Sequence, residues 1–317
     1  MARRWWVSAA VTACLSLTLV LSSCQSPVAL HVAYMPWVGY ESLSLADEMD
    51  WLPDNVILHR TNSSLAAVDM LRDGTAQVAA ITLDQALQAR QELEKLKVVL
   101  VMDESAGADM VISRRGYPSL QSLRGARIGY RVGDVSELLL NSMLREAGMN
   151  ADDVILVDLP VAELGNAWAA KAVDAVVGYP PYTDSVLADG GQVIYDSRSI
   201  PATILDVLVV NGDALLNREE ALAATIAAHF RALEYLRVNR EDAVYRYAAY
   251  QNSTSSEIRA ALAGVRLPAL EGVRAYLQSG GAVQRAAQRL IDEGLVPGEG
   301  RVSADFVDAR YLPSPSP

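Results

Sequence analysis

Cysteine is nearly absent from this sequence, with Cys14 and Cys24 the two in 317 residues. Histidine is scarce too: His31, His59 and His229 lie far apart in sequence and outside any His-x-x-x-His or Cys-x-x-Cys spacing, so no zinc site is offered. Basic charge is short, 27 Lys and Arg against 38 Asp and Glu for a net charge of -11. Nucleic-acid binding depends on neutralising phosphates with basic side chains, and this balance excludes it. The sequence has neither a Gly-x-Ser-x-Gly elbow nor a phosphate-binding Gly-x-x-x-x-Gly-Lys loop, and Gly298-Glu299-Gly300 lacks the third glycine of a dinucleotide fingerprint and opens no βαβ unit. What is present is an ordinary globular mixture, 51% hydrophobic and 21% charged. At about twice the usual domain length it reads as two domains with a core that needs no disulfide or metal staple.

The N-terminus orders its residues as an export signal: Arg3 and Arg4, an apolar stretch from Val7 to Leu21, then Leu21-Ser22-Ser23-Cys24. The stretch is diluted with Ser and Thr and falls short of the roughly 20 apolar residues of a membrane span. The LSSC tetrapeptide resembles a bacterial lipobox, which implies a signal peptide over 1–23, a lipid on Cys24 as the first mature residue, and a linker over 24–29. Cys14 leaves with the signal, so the mature chain has no thiol free for a disulfide, and no nucleophilic dyad is displayed. Gln25 after the cysteine resembles lipoproteins that carry no inner-membrane retention signal.

From Leu30 onward short β-branched runs alternate with helical patterns, the mark of parallel strands joined by helices. Strands are expected at Leu30–Tyr34, Asn55–His59, Gln77–Ile81 and Lys97–Met102, then at Arg127–Tyr130, Val154–Asp158 and Ala172–Val177. Thr82 with Gln85, Asp134 with Glu137, Asn217 with Glu220 and Thr254 with Glu257 are expected helix caps. Gly74–Thr82 aligns with Lys171–Tyr179, each a helix end, a turn, a small apolar strand and a polar or aromatic residue at the strand's carboxyl end. Two similar α/β lobes follow. After Asp206 the pattern is helical almost throughout, and the last seven residues read as disordered.

MPWVGYESLSLADEMDWL, SSLAAVDMLRDGTAQVAAITLDQAL, SAGADMVISRRG, SLQSLRGARIGYRVGDVSELLLNSMLREAG, AVDAVVGYPPYTDSVLADGG and ILDVLVVNGDALLNREEALAATIAAHFRALEYL occur in that order. Together they resemble the solute-binding proteins of ABC importers, in the branch for nitrate, sulfonate, taurine and thiamine-pyrimidine uptake. The resemblance covers nearly all of 30–250. It implies an α/β, two-lobed type II periplasmic-binding fold, each lobe a mainly parallel sheet flanked by helices with the ligand cleft between. It implies two crossings, near Val111–Arg115 and Ile200–Asp206, with the C-terminal helices on the first lobe. The expected division is 30–111 plus 207–310 for lobe 1, 112–206 for lobe 2 and 311–317 for a tail.

Ligands of open α/β sheets sit beyond the carboxyl ends of the strands, where helix N-termini also point. That rule selects Trp37, Tyr40 and Glu41 after the first strand, the aromatics read as stacking surfaces over the alternative of helix–sheet contact. Ser63 and Ser64 open a helix as caps, ligand contacts or both; Thr82 has the same two readings, and Asp84, a ligand candidate, is better placed than Thr82 to face outward. Asp109 and Asp206, one at each crossing, bind ligand or hold the hinge. Ser136 and Arg131 come from the second lobe's first loop, Arg131 reading as a solvated charge. Tyr179-Pro180-Pro181-Tyr182 falls where relatives carry an aromatic followed by Glu-Pro; Pro181 departs from that pattern and the acid is missing.

The expected protein is a monomeric, extracytoplasmic, lipid-anchored receptor on the cell membrane or outer membrane, facing the periplasm in a Gram-negative cell. It hands a small solute to an ABC permease, without a metal, a cofactor or catalysis. Glu41, Asp84, Asp109 and Asp206 against Arg131 alone favour a cationic or nitrogen-rich solute over an anion. The alternatives are a sensory solute-binding module and an enzyme related to thiamine-pyrimidine synthase.

Overall fold

The computed structural model describes residues 27–298 and 300–314. The expected signal peptide, lipidated Cys24 and the final residues 315–317 lie outside the described residues. Within them the chain forms two sheets. The first contains β1 (Leu30–Tyr34), β2 (Val56–Arg60), β3 (Val78–Thr82), β4 (Leu96–Ser105), β10 (Leu205–Asn211) and β11 (Val265–Arg266), in the order β11-β4-β10-β3-β1-β2. The second contains β5 (Met110–Ser113), β6 (Arg127–Tyr130), β7 (Ile155–Asp158), β8 (Ala175–Gly178) and β9 (Gln192–Asp196), in the order β7-β6-β8-β5-β9. The helices joining them include α1 (Glu41–Glu48), α2 (Ser64–Arg72), α3 (Leu83–Arg90), α4 (Val135–Glu146), α5 (Leu164–Ala169) and α6 (Asp184–Ala188).

Each sheet is parallel except at the inserted crossing strand and at the short edge strand β11, which runs antiparallel to β4. β10, returning from the second lobe, runs antiparallel between β3 and β4, and β5, arriving from the first, runs antiparallel between β8 and β9. β1 pairs in parallel with β2 and β3, as β6 does with β7 and β8. The aligned segments Gly74–Thr82 and Lys171–Tyr179 thus become equivalent strands β3 and β8. Gly74 (φ 79°) and Lys171 (φ 56°) both turn left-handed to enter them, a conformation that costs glycine nothing and lysine something.

Three expectations need correction. Leu205–Asn211 is a strand, not the start of the helical region: a run buried on both faces has no period-2 alternation to announce it. The first crossing is Ala106–Asp109, ahead of the expected Val111–Arg115, which mostly belongs to β5. Of the expected tail, residues 311–314 are structured, with Leu312 buried against the core after a short turn at Ala309–Tyr311.

Helices α7 (Glu219–Val238), α8 (Arg240–Gln251), α9 (Ser255–Ala263), α10 (Leu270–Leu277) and α11 (Ala282–Asp292) complete the chain. α10 packs on β4 and α11 on α3, so the C-terminal segment covers the first lobe. No helix among the described residues is long and apolar enough to cross a membrane. Thr254 and Glu257 cap α9 reciprocally, with Glu257 N–H donating to Thr254 Oγ1 at 3.2 Å and Thr254 N–H to Glu257 Oε2 at 2.7 Å. Asn217 does not cap α7; it sits left-handed at φ 61° one turn residue earlier. The core follows β3, β4 and β10, where each fully buried Val, Leu or Ile stabilises by roughly 1.5–3 kcal/mol.

Candidate functional site

The two crossings bring the strand ends of both lobes together around a small cavity. From the first lobe Met35 and Trp37 follow β1, Thr82 ends β3 and Asp206 stands on β10; Asp109, Val135 and Tyr179 come from the second, and Ile204 from the returning chain. Five expected residues therefore line it: Trp37, Thr82, Asp109, Tyr179 and Asp206. Asp84, expected to face outward, lies in the first turn of α3 beside them and is 3% exposed.

Two further aspartates complete the site. Asp103 faces Asp206 across the β4–β10 ladder and accepts a 2.9 Å bond from Trp37 Nε1. Asp134 caps α4, accepting from Ser136 N–H at 3.0 Å, while its other oxygen accepts from Ser64 Oγ at 3.2 Å and Tyr179 OH at 3.1 Å. The β4 strand was expected to end at Met102, one residue short of Asp103; the strand-end rule would have found it had the strand been drawn to its limit. Asp134 gave a capping signal, and the cap is correct, but the same carboxylate also serves the cleft. Gly39 makes the Asp103 contact possible: a Cβ there would stand 1.6 Å from Asp103 Oδ2.

Burial raises the titration of all five aspartates above the ordinary carboxylate range. Asp84 is pushed up to about 6 and Asp103 to about 7, both by desolvation first. Asp109 reaches about 8, through desolvation and the nearby charges of Asp206, Asp134 and Asp84. Asp206 lies well above its usual value, from desolvation and then Asp103, and Asp134 is raised by desolvation. None of the five forms an ion pair with a Lys, Arg or His among the described residues. No group of His, Cys, Asp and Glu there is arranged to hold a metal ion.

Other expected residues fall beside the cavity or away from it. Tyr40 is buried behind it, its hydroxyl donating to Asp206 Oδ1, and half-buried Tyr182 packs edge-on against Tyr179 at 5.7 Å between centroids. Trp37 meets Tyr179 edge-on at the same separation. Tyr40 and Tyr179 are held protonated, first by burial and then by the neighbouring carboxylates, so both remain donors. Glu41 is not a cavity residue: it is buried against Arg60, 2.9 Å away, with Ser44 donating to it. A partner 19 positions on is invisible to local pattern. Ser63 caps α2 through Ala66 N–H, and Ser136 Oγ accepts from Arg131 N–H at 3.0 Å, so both close their own loops. Arg131 pairs with Asp158 on the exposed side at 3.3 Å.

Direct bonds tie the lobes across the cleft. Gln85 Nε2 donates to Gly133 O at 3.1 Å and to Ser64 Oγ at 2.8 Å, and Ser64 donates on to Asp134. At the rim Arg145 Nη1 and Glu293 Oε2 are 3.0 Å apart. This is a closed two-lobed form. Elsewhere, Ser42 Oγ and His229 Nδ1 lie 2.8 Å apart in a fully buried pocket between α1 and α7; burial pushes the imidazole down to about 3, and neither group lines the cavity.

A family model described as NMT1/THI5 like matches residues 55–243. A binding protein of Brucella abortus is 26% identical over 155 residues, 47% of this chain and 48% of its own length. A thiamine biosynthesis protein of Haemophilus influenzae is 24% identical over 216 residues, 66% of this chain and 68% of its own. The chain spans about half the length of the first curated relatives it matches. Among solved structures, the alkanesulfonate-binding protein of Xanthomonas axonopodis pv. citri bound to MOPS superimposes with a TM-score of 0.73 at 17% identity, covering 90% of this chain and 99% of that one. The periplasmic binding protein fold is shared.

Proposed function

The chain belongs to the NMT1/THI5-like family, and on that premise we propose that it is the substrate-binding component of an ABC import system that captures a small cationic or nitrogen-rich solute between its lobes. The observation that carries this reading is the set of five buried aspartates with no basic partner among the described residues, around a cavity that Trp37 and Tyr179 also line. A ligand cation would relieve the desolvated carboxylates, while the rings supply cation–π and stacking contact. An anion meets the opposite environment. The donors it would need are engaged already, Tyr40 with Asp206, Tyr179 with Asp134, and the N-terminus of α4 with Asp134. The Xanthomonas neighbour's sulfonate is therefore not the expected ligand class here.

Closure follows from geometry of the same kind. A solute touching Asp206 and Thr82 on one lobe and Asp109 and Tyr179 on the other favours the closed arrangement through contacts that exist only there. The proposal includes a lipid on Cys24, which holds the monomeric receptor outside the cytoplasm next to its permease. A thermal-shift screen of the mature chain against amines, amidines and pyrimidines, with taurine and nitrate beside them, tests the reading. Stabilisation by cationic or nitrogen-rich compounds alone is the expected result; stabilisation by taurine or nitrate alone overturns it.

A further inference from the structure

We infer, on the cationic reading just proposed, that the ligand carries two positive charges, one held by Asp206 of the first lobe and one by Asp109 of the second. The inference comes from the equivalence of the two lobes. β3 and β8 are the repeated strands, and each ends on a cavity residue, Thr82 in one and Tyr179 in the other. Each is flanked by the antiparallel strand of a crossing. On the first lobe Asp206 stands directly opposite Thr82 in register. On the second, Met110 pairs with Gly178, and continuing that register by one residue sets Asp109 opposite Tyr179. The two carboxylates thus occupy one structural position, repeated, and both line the same cavity.

The equivalence breaks one strand further out. Asp206 has Asp103 as its other neighbour in the ladder. The corresponding neighbour of Asp109 is Ser197, whose N–H donates to Asp109 O at 3.0 Å and whose hydroxyl is spent on Ser105 and Gly107. The Asp206 end therefore holds two carboxyls where the Asp109 end holds one. One atom there points to a missing partner: Thr82 Oγ1, which lines the cavity, has no hydrogen bond although its residue is only 6% exposed. Buried polar atoms are rarely left unpaired without a ligand or water to meet them.

One positive charge would satisfy one lobe and leave the other carboxyl desolvated without a counter-charge. Two charges on a short spacer would engage both, and only in the closed form. The closed cavity is small, and a short diamine is the least bulky molecule that carries two charges across it.

Calorimetry of the mature chain with 1,3-diaminopropane and 1,4-diaminobutane, each against the monoamine of equal carbon count and against taurine, tests the inference. At least one diamine should bind about 30-fold or more tighter than its monoamine, the minimum expected when a buried charge pair is added. Asp109→Asn and Asp206→Asn, each checked for folding by its melting curve, should bring that ratio near one. Equal binding of diamine and monoamine to the wild-type chain overturns the two-charge inference and leaves the cationic reading standing. Binding of taurine without either amine overturns both. A ratio unchanged in folded Asp109→Asn and Asp206→Asn overturns the assignment of the two carboxylates.

Discussion

Replacing Asp109 by Asn should stabilise the ligand-free protein and weaken its ligand binding. The first effect follows from proton linkage. The folded chain holds the Asp109 proton up to about 8, whereas the ordinary value is 3.8. Between those values the unfolded chain binds fewer protons than the folded one, so rising pH favours unfolding. The stability that Asp109 contributes at low pH is fully present below 3.8 and is lost progressively up to about 8. Each pH unit in that window costs about 1.4 kcal/mol, which makes the cost at pH 7 on the order of 4 kcal/mol. Asparagine keeps the shape and an amide for Ser105 but never ionises. Urea unfolding of wild type and Asp109→Asn at pH 4, 5, 6 and 7 should show a stability gap near zero at pH 4 that widens toward neutrality in favour of the variant. A gap that does not change with pH, or a variant less stable at pH 7, would refute the reasoning.

Three further outcomes follow from the same geometry. Gly39→Ala would drive a methyl into Asp103 Oδ2 and break its bond to Trp37, so a loss of about 1–3 kcal/mol in denaturant unfolding is expected, with a change in tryptophan fluorescence; an unchanged midpoint and spectrum would contradict the close approach. Arg145→Ala removes a rim ion pair whose side chains are 48% and 44% exposed, worth about 0.2–1 kcal/mol, so ligand affinity should fall less than about fivefold; a larger loss would mean that the rim, not the cleft, drives closure. Cys24→Ser should lose fatty-acid label and membrane association on fractionation, and label retained by that variant would refute the lipid assignment.

Much of the fold was legible in the sequence because the two lobes repeat a local pattern. The alignment of Gly74–Thr82 with Lys171–Tyr179 found two equivalent strands, and with them two residues that line the same cavity. The crossing strands were not legible. Within LDVLVVN the run Val207–Val210 is buried between β3 and β4, and an unbroken apolar run carries no period. The site was half legible for a related reason. Trp37, Thr82, Asp109, Tyr179 and Asp206 stand where strand ends or crossings were expected, and line the cavity. Asp103 escaped because an acid inside a buried strand defies the burial preference of its type, and Glu41 misled because Arg60 meets it through space alone.

The central claim, that desolvated carboxyls of the cleft hold a cation, is tested most directly by counting protons on binding. Calorimetric titration at pH 6.5–7 in buffers of different ionisation enthalpy measures that number. Asp84, Asp103 and Asp109 titrate near 6, 7 and 8, so a bound cation that favours their charged forms should expel about one or two protons, and affinity should rise with pH across this range. An anion could enter only by keeping these groups protonated, and would bind with proton uptake and weaken as pH rises. Release with an amine or amidine ligand is the result the account predicts; tight binding of taurine or nitrate with uptake would contradict it.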